Sequence, residues 1–473
     1  MVRLLGQSYF FTWINSTSID EKWINAEFYR PEIIEIEDEF EKNKNLRIFK
    51  LNQIADVNRV TGFEVEKYLK IVEEGIPYLR VKNIDVCYIN FEDMQFIPKE
   101  VHEKFNKSQF KVNDIALTIT GRVGTAAIIS GNTKFNACQD VVKISIKKIA
   151  NVNPYYLVVY LNTKYNYRLL NRFNSGGSRP RTLINNVREV NIPIPSPEIQ
   201  KYIGDKVRKA EELREEAKRL KKEAEEILND ELEFKTLEEK LNKCKEKFLW
   251  IKPKDFDNRM DGEFYKIDFI INNEHIDILK NKGVQVLDLK DIINKGSYGI
   301  LPSSDDYGKG EVVLLRSTNI KEFLIDNSEV IKVPNVYYKE KVQVNQGDIL
   351  LEIKGQCYSG AIATELKEKT IVNGSIYKFS VKKGYDNHYV LAYLLSKSGQ
   401  LQKQQNLANS IISYLSLECI NNLKVPIISS GKQKLIGEKY RTYVEQINKS
   451  KQLIQEAKND VGDLIEGNFS MKE

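Results

Sequence analysis

The sequence predicts an α+β protein made of two similar copies, each a mixed globular domain followed by a long helix, with the two helices paired antiparallel. Three observations carry this reading. The chain repeats itself once, each repeat ends in a heptad stripe, and each repeat holds short strands broken at glycines ahead of helices.

The repeat has a period near 234 residues. Glu27-Phe28-Tyr29 matches Glu263-Phe264-Tyr265, and Leu79-Arg80-Val81-Lys82-Asn83-Ile84 matches Leu315-Arg316-Ser317-Thr318-Asn319-Ile320. Asn113-Asp114-Ile115 matches Gly347-Asp348-Ile349, and Gly121 matches Gly355. Tyr156 and Tyr160-Leu161 match Tyr389 and Tyr393-Leu394. Ile192-Pro193-Ile194 matches Val425-Pro426-Ile427, and Gln200 to Gly204 matches Gln433 to Gly437. The offsets stay between 233 and 236 and the order never changes, so chance similarity in a Lys/Asn/Ile-rich chain is a poor explanation. A copy this long buries its own core, so the repeat is a duplicated module and not a solenoid.

Within each copy, Asp114–Thr120, Ala126–Ile129 and Val141–Ile146 read as short strands, with Gly121 and Gly124 as breaks. Asp348–Ile353 and Ser375–Val381 are their counterparts. Helices are expected over Pro154–Asn171 and His388–Gln404.

Ser196-Pro197-Glu198 then reads as a helix N-cap, a proline at the first helical position and an acid in the first turn. Ala210, Ala217 and Ala224 form one apolar column, and Leu213, Leu220 and Ile227 a second, with Lys209, Glu212, Arg214 and Lys221 as charged flanks. In the second copy the columns are Tyr440, Ile447, Ile454, Val461 and Tyr443, Ser450, Ala457, Leu464. Two such stripes, each following a complete domain, are expected to pair with each other, leaving a domain at either end. The expected division is residues 1–195 and 250–428 as the globular domains, with 196–249 and 429–473 as the helical regions.

Net charge is +6, a mild excess. It is strongly polarised: residues 1–100 hold 13 basic and 18 acidic side chains, whereas residues 101–195 hold 14 and 4. One face of the first domain is therefore expected to meet an anion. The five cysteines are scattered and only three histidines occur, so no metal site is expected. Isolated cysteines, the lack of a signal-peptide pattern in MVRLLGQSYFFTWINS and the absence of long apolar runs predict a cytoplasmic protein with no membrane partner.

Enzymatic motifs find little support. Asn153-Pro154-Tyr155-Tyr156 is similar to the Asn-Pro-Pro-Tyr motif of amino-methyltransferases, but it lacks the second proline and is better read as a helix start. Glu352-Ile353-Lys354 has the E-x-K spacing of metal-dependent nucleases, yet no further acid stands on a neighbouring strand to complete a metal site. Gly176-Gly177-Ser178-Arg179 does not have the spacing of a phosphate-binding P-loop.

One run carries a resemblance. Ile192-Pro193-Ile194-Pro195-Ser196-Pro197-Glu198-Ile199-Gln200-Lys201-Tyr202-Ile203 resembles the Pro-rich strand and following conserved helix of the specificity subunits of Type I restriction–modification enzymes. Thr120-Gly121-Arg122-Val123-Gly124 and the start of the helix at Asn153 are similar as well, and the likeness covers nearly the whole chain. It implies two target-recognition domains, each reading one half of a split sequence in double-stranded DNA. It also implies helices that set the spacing and bind two methyltransferase subunits, which carry S-adenosylmethionine, and it leaves room for restriction subunits. This chain would hold no cofactor and no catalytic residue. The second copy lacks the counterparts of Pro195 and of Gly176-Gly177, so the two halves are expected to read different bases. A coiled-coil scaffold without DNA and a stand-alone modification enzyme stay open as alternatives.

Candidate DNA contacts follow from charge and loop chemistry. Lys164, Arg168 and Arg172 recur every four residues and would share a helix face. Arg179 and Arg181 stand on a Gly-Ser loop that lets a backbone approach closely. Arg122 and Gln139 follow broken strands in the first copy, as do Lys354, Gln356 and Asn373 in the second, where Ser413 lies in the loop matching Arg181. Arginine suits guanine edges, and glutamine and asparagine suit adenine.

Overall fold

A computed structural model describes residues 2–4, 7–9, 19, 26–59, 67–173, 180–244, 261–407 and 413–471. The chain forms two compact units, Met1–Arg214 with Asn448–Glu473, and Glu215–Ile447. Both long helices, Pro197–Glu231 and Ser430–Ile465, contribute to both units.

In the first unit, a four-stranded antiparallel sheet runs in the order 126–128, 115–118, 141–146, 55–58. A second sheet has the order 136–137, 76–79, 95–97, its first pair parallel. Asn191–Ile194 closes against Arg47–Lys50. The second unit repeats each of these pairings: 360–362, 349–352, 376–381, 293–298 in one sheet, 370–372, 312–315, 331–333 in the next, and 285–288 against 424–427. Strands followed by helices in each copy make the domains α+β, as the sequence predicts.

The helix expected over 154–171 is two helices, Pro154–Leu161 and Lys164–Asn171. Thr163 ends the first and caps the second by accepting from the Asn166 amide. Ser396 makes the same break in the second copy. The region expected to continue the first long helix holds a separate helix, Phe234–Lys243, after Glu233 takes a left-handed conformation with φ 51°.

Helix and domain meet through one repeated joint. Gln200 accepts from the Asn153 amide and donates to the Pro195 carbonyl. Gln433 does the same with Asp386 and Ile428. The hydroxyls of Tyr156 and Tyr389 donate to the carbonyls of Pro193 and Pro426. The Pro-rich strand and the glutamine of the sequence motif are therefore parts of this joint.

In the first unit Lys206 pairs with Asp460, and the Tyr202 and Phe469 rings lie 6.0 Å apart. In the second, Lys439 pairs with Glu223 and Lys432 with Glu231. One residue number rises as the other falls, so the helices run antiparallel in each unit. Ala210, Ala217 and Ala224 are fully buried, as the alanine column requires. Its companion is not the leucine column: Leu213, Leu220 and Ile227 are only half-buried. Val207 and Leu228 are the buried members of the neighbouring column, whose middle positions are Arg214 and Lys221. Arg214 lies over the Tyr88 ring at 3.5 Å and Lys221 reaches Glu322 at 2.6 Å, so these two flank residues bind the globular parts.

Candidate nucleic-acid interface

The ends of several strands meet in one rim on each domain. In the first copy the strand Ile115–Thr118 runs out at Thr120, where Thr120 and Arg181 form a single antiparallel bridge. The Gly121 amide donates to the Pro180 carbonyl and the Thr182 amide to the Ile119 carbonyl. On the other side the Ile119 amide donates to the Asp140 carbonyl, and the Cys138 amide donates to the Leu79 carbonyl. Gly121 and Gly124 adopt φ of 73° and 91°, which is why glycine recurs in this turn. The rim therefore runs from Arg80 through the Cys138–Asp140 turn and the Thr120–Arg122 turn to Arg181.

The second copy builds the same rim with other side chains. Lys354 and Tyr414 form the bridge, the Gly355 amide donates to the Ser413 carbonyl, and the Leu415 amide to the Ile353 carbonyl. The Ile353 amide donates to the Ser375 carbonyl and the Asn373 amide to the Leu315 carbonyl. Position by position, Thr120 stands where Lys354 does, Arg122 where Gln356 does, and Arg181 where Tyr414 does. Gln139 corresponds to Gly374.

Arg122, Gln139, Arg181, Lys354 and Gln356 are all exposed on these rims. Arg122 makes a long ion pair with Asp85 at 3.7 Å, which leaves its guanidinium half exposed. Asn373 also lies on the rim, but its Oδ1 accepts from the Ser375 amide and hydroxyl and is committed to the turn. Ser413 takes the place of Pro180, so the side chain corresponding to Arg181 is Tyr414, which the loop's composition did not single out. Arg179 lies outside the described residues.

The basic helix stripe is corrected. Lys164, Arg168 and Arg172 stand at the first position, in the last turn and at the C-cap of one helix, but they make different contacts. Lys164 pairs with Glu466 at 3.3 Å. Arg172 is buried, pairs with Glu37, donates to the Phe28 carbonyl and lies 3.7 Å from the Phe28 ring. A guanidinium held this way braces the fold and cannot track a phosphate. Lys164 and Arg168 both remain exposed cations, Lys164 while paired with Glu466.

The enzymatic motifs are also absorbed by structure. Asn153 caps its helix by accepting from the Tyr155 amide. Glu352 accepts from the Ser359 amide, closing the turn that Thr118 closes with Thr125 in the first copy. Asp348 accepts from the Asn345 amide and pairs with buried Lys378. Among the described residues, no group of three or more His, Cys, Asp or Glu could hold a metal.

Burial supports the second rim from below. Lys403 is fully buried, donates to the Cys357 carbonyl at 2.7 Å and has its pKa pushed down to about 8 by desolvation. It pins a residue of the turn after Gly355 that carries φ 55°.

A model of the Type I restriction modification DNA specificity domain matches residues 43–226 and again residues 281–459. The chain belongs to this family. Each match runs from a globular domain into its long helix, so domain and helix form one repeating unit of the family. The specificity subunit of the Type I restriction enzyme EcoBI from Escherichia coli is 25% identical over 163 residues, covering 34% of this chain and 34% of that protein. The MjaVIII specificity subunit from Methanocaldococcus jannaschii is 24% identical over 215 residues, covering 43% of this chain and 47% of that protein. The similarity thus spans about a third to a half of these curated relatives. The S subunit of a Type I restriction-modification system from M. genitalium gives a TM-score of 0.45 at 14% identity, over 91% of this chain and 98% of that one. The HsdS subunit from Thermoanaerobacter tengcongensis gives 0.29 at 12%, over 90% and 98%.

Proposed function

We propose that this chain is the sequence-reading subunit of a Type I restriction–modification enzyme, with each domain reading one half of a bipartite target in double-stranded DNA. The observation that carries this is the pair of rims: one backbone frame, built twice, bearing Arg122 and Arg181 in one copy and Gln356 and Tyr414 in the other. A shared frame with different exposed side chains is what two half-sites of different sequence require. Phosphate contacts set the frame's position, and base-edge contacts set its preference. Helices of 35 and 36 residues extend about 50 Å at about 1.5 Å per residue, longer than one DNA turn of about 34–36 Å, and serve as the spacer between half-sites.

The reading assigns methyl transfer to two partner methyltransferase subunits that bring S-adenosylmethionine, with restriction subunits as further members and the cytoplasm as the site of action. No helix among the described residues is long and apolar enough to cross a membrane. The test is methylome sequencing of cells expressing this chain with its methyltransferase. A split motif modified on both strands is expected. Methyl transfer by the purified chain alone, or modification of an unsplit motif, would overturn the proposal.

A further inference from the structure

Every exposed rim side chain described above differs between the two copies; the turn glycines Gly121 and Gly355 are shared, and so is one half-buried pair at the rim's edge. Arg80 and Arg316 are identical, and so is the local structure that holds them. Each follows the last residue of a strand, Ile76–Leu79 or Val312–Leu315. The amide of each accepts the same brace, donating to the Oδ1 of Asn83 at 3.2 Å or of Asn319 at 3.0 Å. The Nδ2 of each asparagine then ties down the next loop, through the carbonyls of Asn90 and Glu92 or of Asp326 and Glu329.

Both arginine side chains are half-buried, and both carry the same defect: an Nε that is buried with no hydrogen-bond partner. An unpaired buried N–H on a guanidinium is costly, and any long apolar side chain would fill the space without that cost. The asparagine brace uses the backbone amides of Arg80 and Arg316, and the Arg80 Nη2 also donates to the Asp93 carbonyl, but neither contact explains why arginine stands at both places. The position does. Leu79 and Leu315 receive the amides of Cys138 and Asn373, which places each arginine one strand spacing, about 5 Å, from the rim turn.

We infer that Arg80 and Arg316 are a matched pair of DNA-backbone contacts, one per half-site, that grip the phosphates while the variable rim residues read bases. Two half-sites of different sequence share only their sugar-phosphate backbone, so the side chain kept identical in both frames is the one suited to the shared feature. This inference rests on the DNA-reading proposal above.

The test uses the full complex with its methyltransferase and measures affinity for the modified motif across a salt series. Arg80→Ala and Arg316→Ala are each expected to flatten the plot of log affinity against log salt by about one unit, and the double variant by about two. The methylated motif should stay unchanged. Arg80→Lys and Arg316→Lys should recover most of the slope, because charge and not packing is at stake. Loss of affinity at unchanged slope, with a lowered unfolding temperature that lysine does not rescue, would assign the arginines a structural role. Relaxed sequence preference at one half-site would make them base readers. Either result overturns this inference while leaving the DNA-reading proposal intact. A wild-type complex that does not bind any split motif overturns that proposal, and this inference with it.

Discussion

Arg181 faces Thr120 across a single antiparallel bridge, and Tyr414 faces Lys354 in the same way in the second copy. The two pairs hold one backbone position in each domain and give it different chemistry. Arg181→Ala is expected to weaken recognition of one half-site only, and Tyr414→Ala the other only. A lost guanine contact at Arg181 costs about 1–3 kcal/mol of discrimination. Binding assays with each half-site substituted in turn check this. Equal losses at both half-sites for either variant would show that the rims do not act independently.

Arg172 gives the opposite expectation. Its side chain is buried against the Phe28 ring within the first unit, and its partner Glu37 is partly exposed. Arg172→Ala should lower stability by about 1–3 kcal/mol, chiefly because the ring loses its cover and the Phe28 carbonyl its donor. The salt dependence of DNA binding by the folded fraction should be unaltered. Denaturant unfolding and a salt titration together separate the two effects.

Gly437 lies in the first turns of the second long helix, with the Asp386 carboxylate so near that a Cβ would overlap it. Asp386 accepts from the amides of His388 and Tyr389 and pairs with Arg441, so it cannot easily swing away. Alanine normally favours a helix over glycine by about 1 kcal/mol. Gly437→Ala should nevertheless lower the unfolding midpoint, by about 2–6 °C for a net loss near 1–2 kcal/mol. At Gly204 the nearest atom is Asn153 Nδ2 at 3.0 Å, and Gly204→Ala should cost less. A stabilised Gly437→Ala protein would contradict the close approach.

His388 is buried, and desolvation, aided by Arg441, pushes its pKa down to about 4. An unfolded histidine titrates near 6.5. Between these values the unfolded chain binds the extra proton, so stability is fully present above about pH 6.5 and is lost as pH falls toward 4. The whole effect is about 3 kcal/mol. His275 is shifted in the same direction by burial and adds to the loss. Unfolding midpoints measured from pH 7 to 4.5 should fall more steeply for the wild type than for His388→Phe. Parallel curves would show that His388 does not titrate with folding.

The repeat, the helix ends and the strand positions could be read directly because they rest on local signals. Ser196-Pro197 sets a helix start by capping chemistry, and Val141–Ile146 is a strand over the residues expected. The alanine column was likewise visible in its heptad spacing. The companion column was misread because apolar character was followed within one helix. Shifting the second copy's Tyr440, Ile447, Ile454 and Val461 back by 233 lands on Val207, Arg214, Lys221 and Leu228, of which Val207 and Leu228 are buried. The repeat therefore pointed to this column, obscured by two charged residues whose heads reach Tyr88 and Glu322.

The sequence by itself determined a duplicated α+β module with a long helix closing each copy, since periodicity, caps and self-similarity are properties of neighbouring residues. Tertiary structure alone decided which cations face outward. Arg172 and Arg181 are nine residues apart and equally charged, yet one is buried against Phe28 and Glu37 and the other exposed on a strand end. It also decided that Tyr414, and not Ser413, is the counterpart of Arg181. That assignment is fixed by backbone hydrogen bonds between segments some 60 residues apart, and no pattern along the chain encodes which carbonyl meets which amide.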